Sequence, residues 1–244
     1  MNYTFPNTIN AGALKSKVYL PEEVGSDLPV TMWYFEQSFG VVCKVPKFKI
    51  LEDVLRHYKI RSEKAKFETI SQVVISQLWK DELNFVFEHV PYNVSEVAIC
   101  ENIIYPILKE VWKPYLETFT LWSHRAIEMD DESTAYPDYV VSKNSDMGPL
   151  YFENPFVAVV EAKREDFTFG WAQCCSEMVS LQKLNSDKDS PIFGIVSTGD
   201  NWQFAKLEHD VFTRYTNQCS VSNLDDLFNT LSSVFEYCKR HFDK

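Results

Sequence analysis

The sequence predicts an α/β protein in which a mixed central β-sheet is flanked by helices. The run at 156–160, Phe-Val-Ala-Val-Val, is short, continuous and rich in β-branched residues, which is typical of a strand buried on both faces. Apolar residues recur with helical spacing in segments 93–111 and 224–238, which predicts two amphipathic helices. The expected core order is α–β–β–β–α–β, followed by the C-terminal helix.

The first part of the chain is predicted to be a β/α extension, residues 1–66, packed against a core of residues 67–244. No Gly/Ser-rich stretch separates the two, so a flexible tether is not expected. The elements expected before the first core helix are strands at 28–35 and 39–45, helices at 50–58 and 67–79, and a strand at 83–87.

The first core helix is expected to begin at Asn93, because Asn93 and Glu96 have the spacing of a capping box. Pro106 is expected to bend it. Glu101 falls on or beside the apolar stripe, where an unpaired carboxylate is costly to bury. The residues of that stripe are Val97, Cys100, Ile104, Ile107, Leu108 and Val111.

The remaining elements follow from turn residues and apolar runs. A strand at 139–141 is expected to pair with the 156–160 strand, because the turn-rich segment 144–149 lies between them. The acidic run at 128–132 is interpreted as an exposed loop. The other predicted elements are strands at 119–127, 191–197 and 202–207, a helix at 170–184, and a C-terminal helix capped by Ser222 with Asp225.

Charged residues mark the ends of the two paired strands. Asp138 precedes one strand, and Glu161-Ala162-Lys163 ends the other. Period-2 alternation places Glu161 and Lys163 on one face, and the hairpin brings Asp138 beside them. Two adjacent carboxylates favour a divalent cation, and oxygen ligands suit Mg²⁺ or Mn²⁺ and not Zn²⁺. A lone Glu-x-Lys is more often a solvated strand end, so the prediction depends on the whole pattern.

This pattern resembles the PD-(D/E)xK nuclease superfamily, with its restriction-endonuclease-like fold. The matching residues are Pro137-Asp138, Glu161-Ala162-Lys163-Arg164 and, on the following helix, Gln173. The nuclease domain at the start of type I restriction motor subunits is similar, since Gly170-Trp171-Ala172-Gln173 and the run from Phe193 to Trp202 occur in the same order. The resemblance covers roughly residues 95–207 and does not extend to the N-terminal region.

The resemblance implies a Mg²⁺-dependent (or Mn²⁺-dependent) endonuclease that acts on DNA. Asp138, Glu161 and the main-chain carbonyl of Ala162 would be metal ligands, and Lys163 would hold or activate the attacking water. Glu101 would be a third carboxylate reaching the metal, with Glu96 as its rival. Gln173 would contact a phosphate or the attacking water, or would be an ordinary exposed glutamine. The alternative is a catalytically degenerate member of the fold that acts as a binding or effector module.

Charge is distributed unevenly along the chain. The net charge is −11, which is unusual for a nucleic-acid enzyme, yet residues 44–66 hold eight basic and three acidic side chains. These basic residues are interpreted as a phosphate-binding patch or as a solvated helix face. The nucleic-acid contacts expected are Lys44, Lys47, Lys49, Arg56, Lys59, Arg61 and Arg164. DNA is the expected substrate, and a protein partner or homodimer is left open.

Cysteine spacing and hydropathy argue against a zinc-binding, disulfide-rich, membrane-spanning or exported protein. The six cysteines have no C-x-x-C spacing, so buried free thiols are expected in place of a zinc site or a disulfide framework. No apolar run is long enough for a membrane span, and the N-terminal residues lack the pattern of an export signal. A cytoplasmic protein is the expectation.

Overall fold

The computed structural model describes residues 48–128, 134–148 and 150–242. The chain divides into two compact units, and all the described residues belong to the second unit, Pro46–Lys244. The predicted strands at 28–35 and 39–45 and most of the acidic run at 128–132 lie outside the described residues. Lys44, Lys47 and Cys43 lie outside them as well.

The centre of the described unit is a seven-stranded mixed sheet. The strands of the unit are β1 Arg61–Ala65, β2 Phe119–Ser123, β3 Ile127–Glu128, β4 Thr134–Ala135, β5 Tyr139–Lys143, β6 Phe156–Ala162, β7 Ile192–Ser197, β8 Asn201–Glu208 and β9 Val211–Ser220. Their order in the sheet is β1-β9-β8-β7-β6-β5-β2, and β3 pairs only with β4. The β6–β7 and β1–β9 pairs are parallel, and the other pairs of the large sheet are antiparallel.

Helices cover both faces of the sheet. They are α1 Leu51–Tyr58, α2 Gln77–His89, α3 Glu96–Ile99, a π-helical turn Cys100–Ile104, α4 Tyr105–Trp112, α5 Phe167–Asn185 and α6 Leu224–Phe242. Residues of α3, α4 and α6 share one buried cluster with one face of the sheet, and residues of α1 and α5 share a second cluster with the other face. The predicted α/β class, with helices flanking a mixed sheet, is confirmed.

Segment 67–87 differs from its prediction. The expected helix at 67–79 is absent, and the expected strand at 83–87 lies within α2. Side chains from distant elements accept hydrogen bonds from the main chain of 67–73: the N–H groups of Ile70 and Ser71 donate to Ser233 Oγ, and that of Val73 donates to Asn229 Oδ1. Because these bonds satisfy the main-chain donors, the segment forms no helix of its own.

The first core helix also starts later than predicted. Ser95 is its N-cap and accepts a hydrogen bond of 3.1 Å from the N–H of Ala98, so Asn93 is not the cap. A π-helical turn lies immediately before Pro106 in place of a simple bend. Of the predicted apolar stripe, Val97 is 60% exposed and was wrongly placed, whereas its other members are buried.

Most of the remaining predictions are confirmed, with small shifts in bounds. The exceptions are β2, which ends at Ser123 and not at 127, and the cap of α6, where Asn223 Oδ1 accepts from the N–H of Asp226. Strands β1, β4 and β9 were not predicted. The five described cysteines are buried free thiols, as expected. In the described part of the chain, no helix is both long and apolar enough to span a membrane.

Candidate functional site

The β5–β6 hairpin brings two carboxylates to one end of the sheet. Tyr139 lies opposite Val160 in the hairpin register. Asp138 directly precedes β5 and Glu161 directly follows Val160, so the two acids are neighbours across the strand pair. Asp138 Oδ2 accepts a hydrogen bond of 2.7 Å from the main-chain N–H of Ala162. This bond anchors the start of β5 to the end of β6.

Lys163 lies against two carboxylates, Glu161 and Glu96. Its ammonium Nζ is 3.4 Å from Glu161 Oε2 and 3.8 Å from Glu96 Oε2, and its side chain is only 8% exposed. Burial lowers the pKa of Lys163, but the negative charges of Glu161, Glu96 and Asp138 outweigh that effect, and the pKa is raised overall. Lys163 is therefore a cation at neutral pH.

Gly170 makes room for this lysine. A Cβ atom at position 170 would lie 2.7 Å from Val196 Cγ1 and 2.9 Å from Lys163 Cγ, both closer than real Cβ contacts allow. Gly170 is in the first turns of α5, where alanine would ordinarily be the better helix former. The glycine lets α5 approach β6 and β7 closely enough for Lys163 to lie beneath the helix.

A second buried glutamate faces the site from α5. Glu161 is fully buried and Glu177 is 4% exposed. The two carboxyl groups lie close enough for each to influence the pKa of the other, and the Gln173 amide lies beside Glu177. Burial raises the pKa of Glu177 to about 7. Burial, followed by the charge of Glu177, raises the pKa of Glu161 well above its usual value.

These two glutamates are short of donors. Glu161 Oε1 and Glu177 Oε2 are both buried and accept no hydrogen bond from any N–H or O–H group placed in the structure. A hydrogen bond between the two carboxyl groups would require a proton on one of them. A buried carboxylate oxygen without a donor is costly. A proton or a cation is therefore needed to stabilise these two carboxyl groups.

Opposing effects act on the pKa of Asp138. Burial raises its pKa, while the Ala162 N–H and the charges of Lys163 and His124 lower it, and the pKa is raised overall. His124 Nδ1 is 3.6 Å from Asp138 Oδ1, and its main-chain N–H donates to the Asp138 carbonyl at 2.8 Å. His124 has the left-handed backbone conformation, with φ of 49°. The imidazole therefore lies at the rim of the site.

The structure does not place Glu101 where the sequence suggested. Its side chain is exposed and takes part in no ion pair or hydrogen bond within the described residues, and it lies on the exposed side of the helix together with Val97 and Tyr105. Glu96, which was interpreted as part of a cap, reaches Lys163 instead. It is the acidic residue of this helix that lies near the site.

Two other predicted site residues, Gln173 and Arg164, differ in burial. Gln173 is partly buried and contacts Glu177, so it is not an ordinary exposed glutamine. Arg164 is exposed, and its Nε lies 4.0 Å from Glu165 Oε1. Arg164 lines an open cleft of about 400 Å³ beside Lys163. The other residues lining this cleft are Glu96, Glu165, Asp166 and Phe169.

The described basic residues of the N-terminal region lie far from this cleft. Tyr58, at the end of α1, contacts Lys183 near the C-terminal end of α5, whereas Gln173 lies near its start. Ten helical residues separate positions 173 and 183, which is roughly 15 Å. Arg61 is in β1, four strands from β6, or roughly 19 Å at the usual spacing. The structure therefore does not bring Lys49, Arg56, Lys59 or Arg61 to the carboxylates.

The oxygen atoms of this site are chemically suited to bind a hard divalent cation. The converging groups of Asp138, Glu161 and Glu177 all offer oxygen atoms, and two of these oxygens lack donors. Within residues 48–128, 134–148 and 150–242, no three His, Cys, Asp or Glu side chains are already spaced as a closed metal cluster. The match to a divalent cation is therefore one of donor chemistry and not of a preformed cluster.

The sequence interpretation missed Glu177 and His124. Glu177 lies between Cys174 and Met178, which are apolar residues at helical spacing in the predicted helix 170–184, so an acid at this position was a usable signal. His124 carried no comparable signal, because the strand was predicted to run straight through it.

Comparison with known proteins gives a distant structural similarity. No protein-family model matches the chain, and no curated protein matches it. A solved structure described as "cryoEM structure DrdV-DNA complex" matches with a TM-score of 0.40 and 10% identity, over 65% of this chain. The match spans 13% of that much longer chain. So distant a similarity assigns no function, which has to be inferred from the residues of the site.

Proposed function

We propose that this protein is a divalent-metal-dependent nuclease that hydrolyses phosphodiester bonds of DNA. The observation that carries the proposal is the meeting of Asp138, Glu161 and Lys163 at one end of the sheet, with Glu161 fully buried and one of its oxygens without a donor. Structural ion pairs rarely leave a buried carboxylate oxygen unsatisfied, whereas a metal-binding carboxylate must do so until the ion binds.

Asp138, Glu161 and the carbonyl of Ala162 would hold Mg²⁺ or Mn²⁺. When bound, such an ion supplies a polarised phosphoryl oxygen and a more acidic water molecule. Asp138 is already oriented for this task, because its bond to the Ala162 N–H fixes one oxygen and leaves the other facing His124.

Lys163 would stabilise charge and not remove a proton. Its pKa is raised by the surrounding carboxylates, so the ammonium form persists at neutral pH. An ammonium can donate to the attacking water and to a phosphate oxygen that gains negative charge in the transition state. The cleft beside it is open to solvent, and Arg164 at the rim offers a second cation to the DNA backbone.

The test is cleavage of single-stranded, duplex and branched DNA with Mg²⁺, with Mn²⁺ and with EDTA. We expect cleavage of at least one substrate only with metal, and its loss in Glu161→Gln. Absence of cleavage of every substrate by the folded protein at saturating Mn²⁺ would contradict the nuclease proposal.

A second candidate is a binding module on the same fold. The net charge of −11 favours it, because a nucleic-acid enzyme ordinarily presents a basic surface. The described basic residues of 49–61 also lie away from the carboxylates. If the protein is a binding module, wild type and Lys163→Ala will give the same result in every cleavage assay.

A further inference from the structure

Glu177 is a buried acid that the proposed catalytic set does not use. It lies in the middle of α5, on the side that covers β6 and β7, between the fully buried side chains of Cys174 and Met178. An acidic residue at such a position is rare unless it is paired. Simple packing would place an apolar side chain here.

The neighbours of Glu177 do not neutralise it. Gln173 provides an uncharged amide, and Glu161 provides a second carboxyl group. The charge of Lys163 acts on both glutamates, but its ammonium already contacts Glu161 and Glu96. Glu177 Oε2 is left with no donor in a buried position beside the equally unpartnered Glu161 Oε1.

The charges of the buried groups suggest what completes the site. The ionised forms of Asp138, Glu161 and Glu177 carry three negative charges, and Lys163 carries one positive charge. Glu96 is half exposed, so solvent screens it. The buried set therefore has a net charge of minus two, which one divalent cation neutralises.

We propose that Glu177 is the third carboxylate of the metal site, placed behind Glu161 and supplying the charge that balances a divalent cation. In this arrangement α5 contributes a ligand-supporting acid, and the exposed Glu101 has no part in the site. The inference rests on the proposed function, because it assumes that Asp138 and Glu161 bind a metal ion.

The experiment is Mn²⁺ binding to the full chain, measured by isothermal titration calorimetry on wild type and single variants. Glu177→Gln keeps the shape and the hydrogen-bonding capacity of the side chain but removes its charge. We expect a 10- to 100-fold loss of Mn²⁺ affinity, the usual effect of removing a supporting carboxylate. Glu101→Gln is the matched control, and its affinity should equal that of wild type.

The metal-free stability supplies an independent readout. Glu177→Gln removes a buried acid without a full set of donors, so its thermal midpoint in EDTA should equal or exceed that of wild type. The stabilisation that Mn²⁺ adds should be smaller than in wild type. A variant that had simply damaged the fold would instead melt earlier in EDTA.

The outcomes separate this inference from the proposed function. Mn²⁺ affinity within twofold of wild type in Glu177→Gln, together with a large loss in Glu161→Gln, would overturn the role of Glu177 and leave the metal site standing. Absence of Mn²⁺ binding by wild type would overturn both. If Glu177→Gln does not fold, the comparison is made between Glu177→Asp and Glu177→Asn, whose side chains are equally short and differ in charge. Equal Mn²⁺ affinities of these two variants would overturn the inference.

Discussion

Asp138 and Ala162 are joined by a hydrogen bond of 2.7 Å from the main-chain N–H of Ala162 to the carboxylate of Asp138. The bond links the residue before β5 to the last residue of β6. It therefore couples the hairpin register to the orientation of a candidate metal ligand, and stability and metal binding should respond differently to changes at position 138.

We expect Asp138→Ala to lower the free energy of unfolding by about 1–3 kcal/mol, because it leaves the Ala162 N–H without its acceptor. Asp138→Asn retains an acceptor oxygen and loses a charge that burial disfavours, so in EDTA it should be at least as stable as wild type. Both variants should lose Mn²⁺ affinity. Urea denaturation checks the stabilities, with Asp146→Ala in the exposed turn as the control.

A reversed order, with Asp138→Asn less stable than Asp138→Ala, would show that the charge of Asp138 and not its hydrogen bond stabilises the metal-free fold.

We expect Lys163→Ala to reduce the cleavage rate by at least about 100-fold, about 3 kcal/mol in the transition state. Its DNA affinity should change far less, since one lost phosphate contact reduces the salt dependence of binding by about one. Single-turnover cleavage at saturating Mg²⁺ and a binding titration in Ca²⁺ measure the two effects. Lys188→Ala is the control, because Lys188 is an exposed lysine paired with Asp210.

Cleavage at the wild-type rate by Lys163→Ala would show that this lysine only neutralises its neighbouring glutamates.

We expect the metal-free protein to lose stability as the pH rises from about 4.5 to about 7. The pKa of Glu177 in the folded state is raised from 4.5 to about 7, so over this range the folded state holds a proton that the unfolded state has released. Stability falls with pH wherever the folded state binds more protons. The raised pKa of Glu161 acts in the same direction.

The measurement is urea denaturation in EDTA at several pH values between 4 and 8. Glu177→Gln should flatten the decline, and Glu101→Gln should leave it unchanged. A decline of undiminished slope in Glu177→Gln would mean that other groups cause it.

We expect Gly170→Ala to destabilise the protein by about 1–3 kcal/mol, although alanine is the better helix former. The added methyl group would collide with Val196 and with the stem of Lys163. The second mutation Val196→Ala should restore part of the stability, because it removes one of the two colliding groups. Thermal and urea unfolding of the single and double variants form a double-mutant cycle.

If Gly170→Ala proved more stable than wild type, α5 could shift away from β6 at little cost, and the close approach would not be a requirement of the fold.

Local patterns determined much of the fold and part of the site. Alternation along β6 places Glu161 and Lys163 on one face, and the turn-rich segment before it predicts the hairpin that brings Asp138 alongside. These are short-range relationships, since the period of a strand and the chemistry of a turn are written in neighbouring residues. The fold class followed from the same signals.

Tertiary structure decided the rest. Segment 67–76 has apolar residues at helical spacing, yet Asn217, Asn229 and Ser233 bind its main chain and keep it out of a helix. No local pattern encodes hydrogen bonds to residues 150 or more positions away.

Glu101 and Glu177 illustrate the same difference between what the sequence determines and what the tertiary structure decides. Each is an acid beside an apolar helical stripe, so the sequence treats them alike. Glu101 lies on the exposed side of its helix with Val97 and Tyr105, while close packing of α5 on β6 buries Glu177 near Glu161. The sequence by itself determined that acids flank the core. Which of them is buried depended on helix phase and on the packing of helices against the sheet, because burial is a property of the assembled layers and not of the residue's own neighbours.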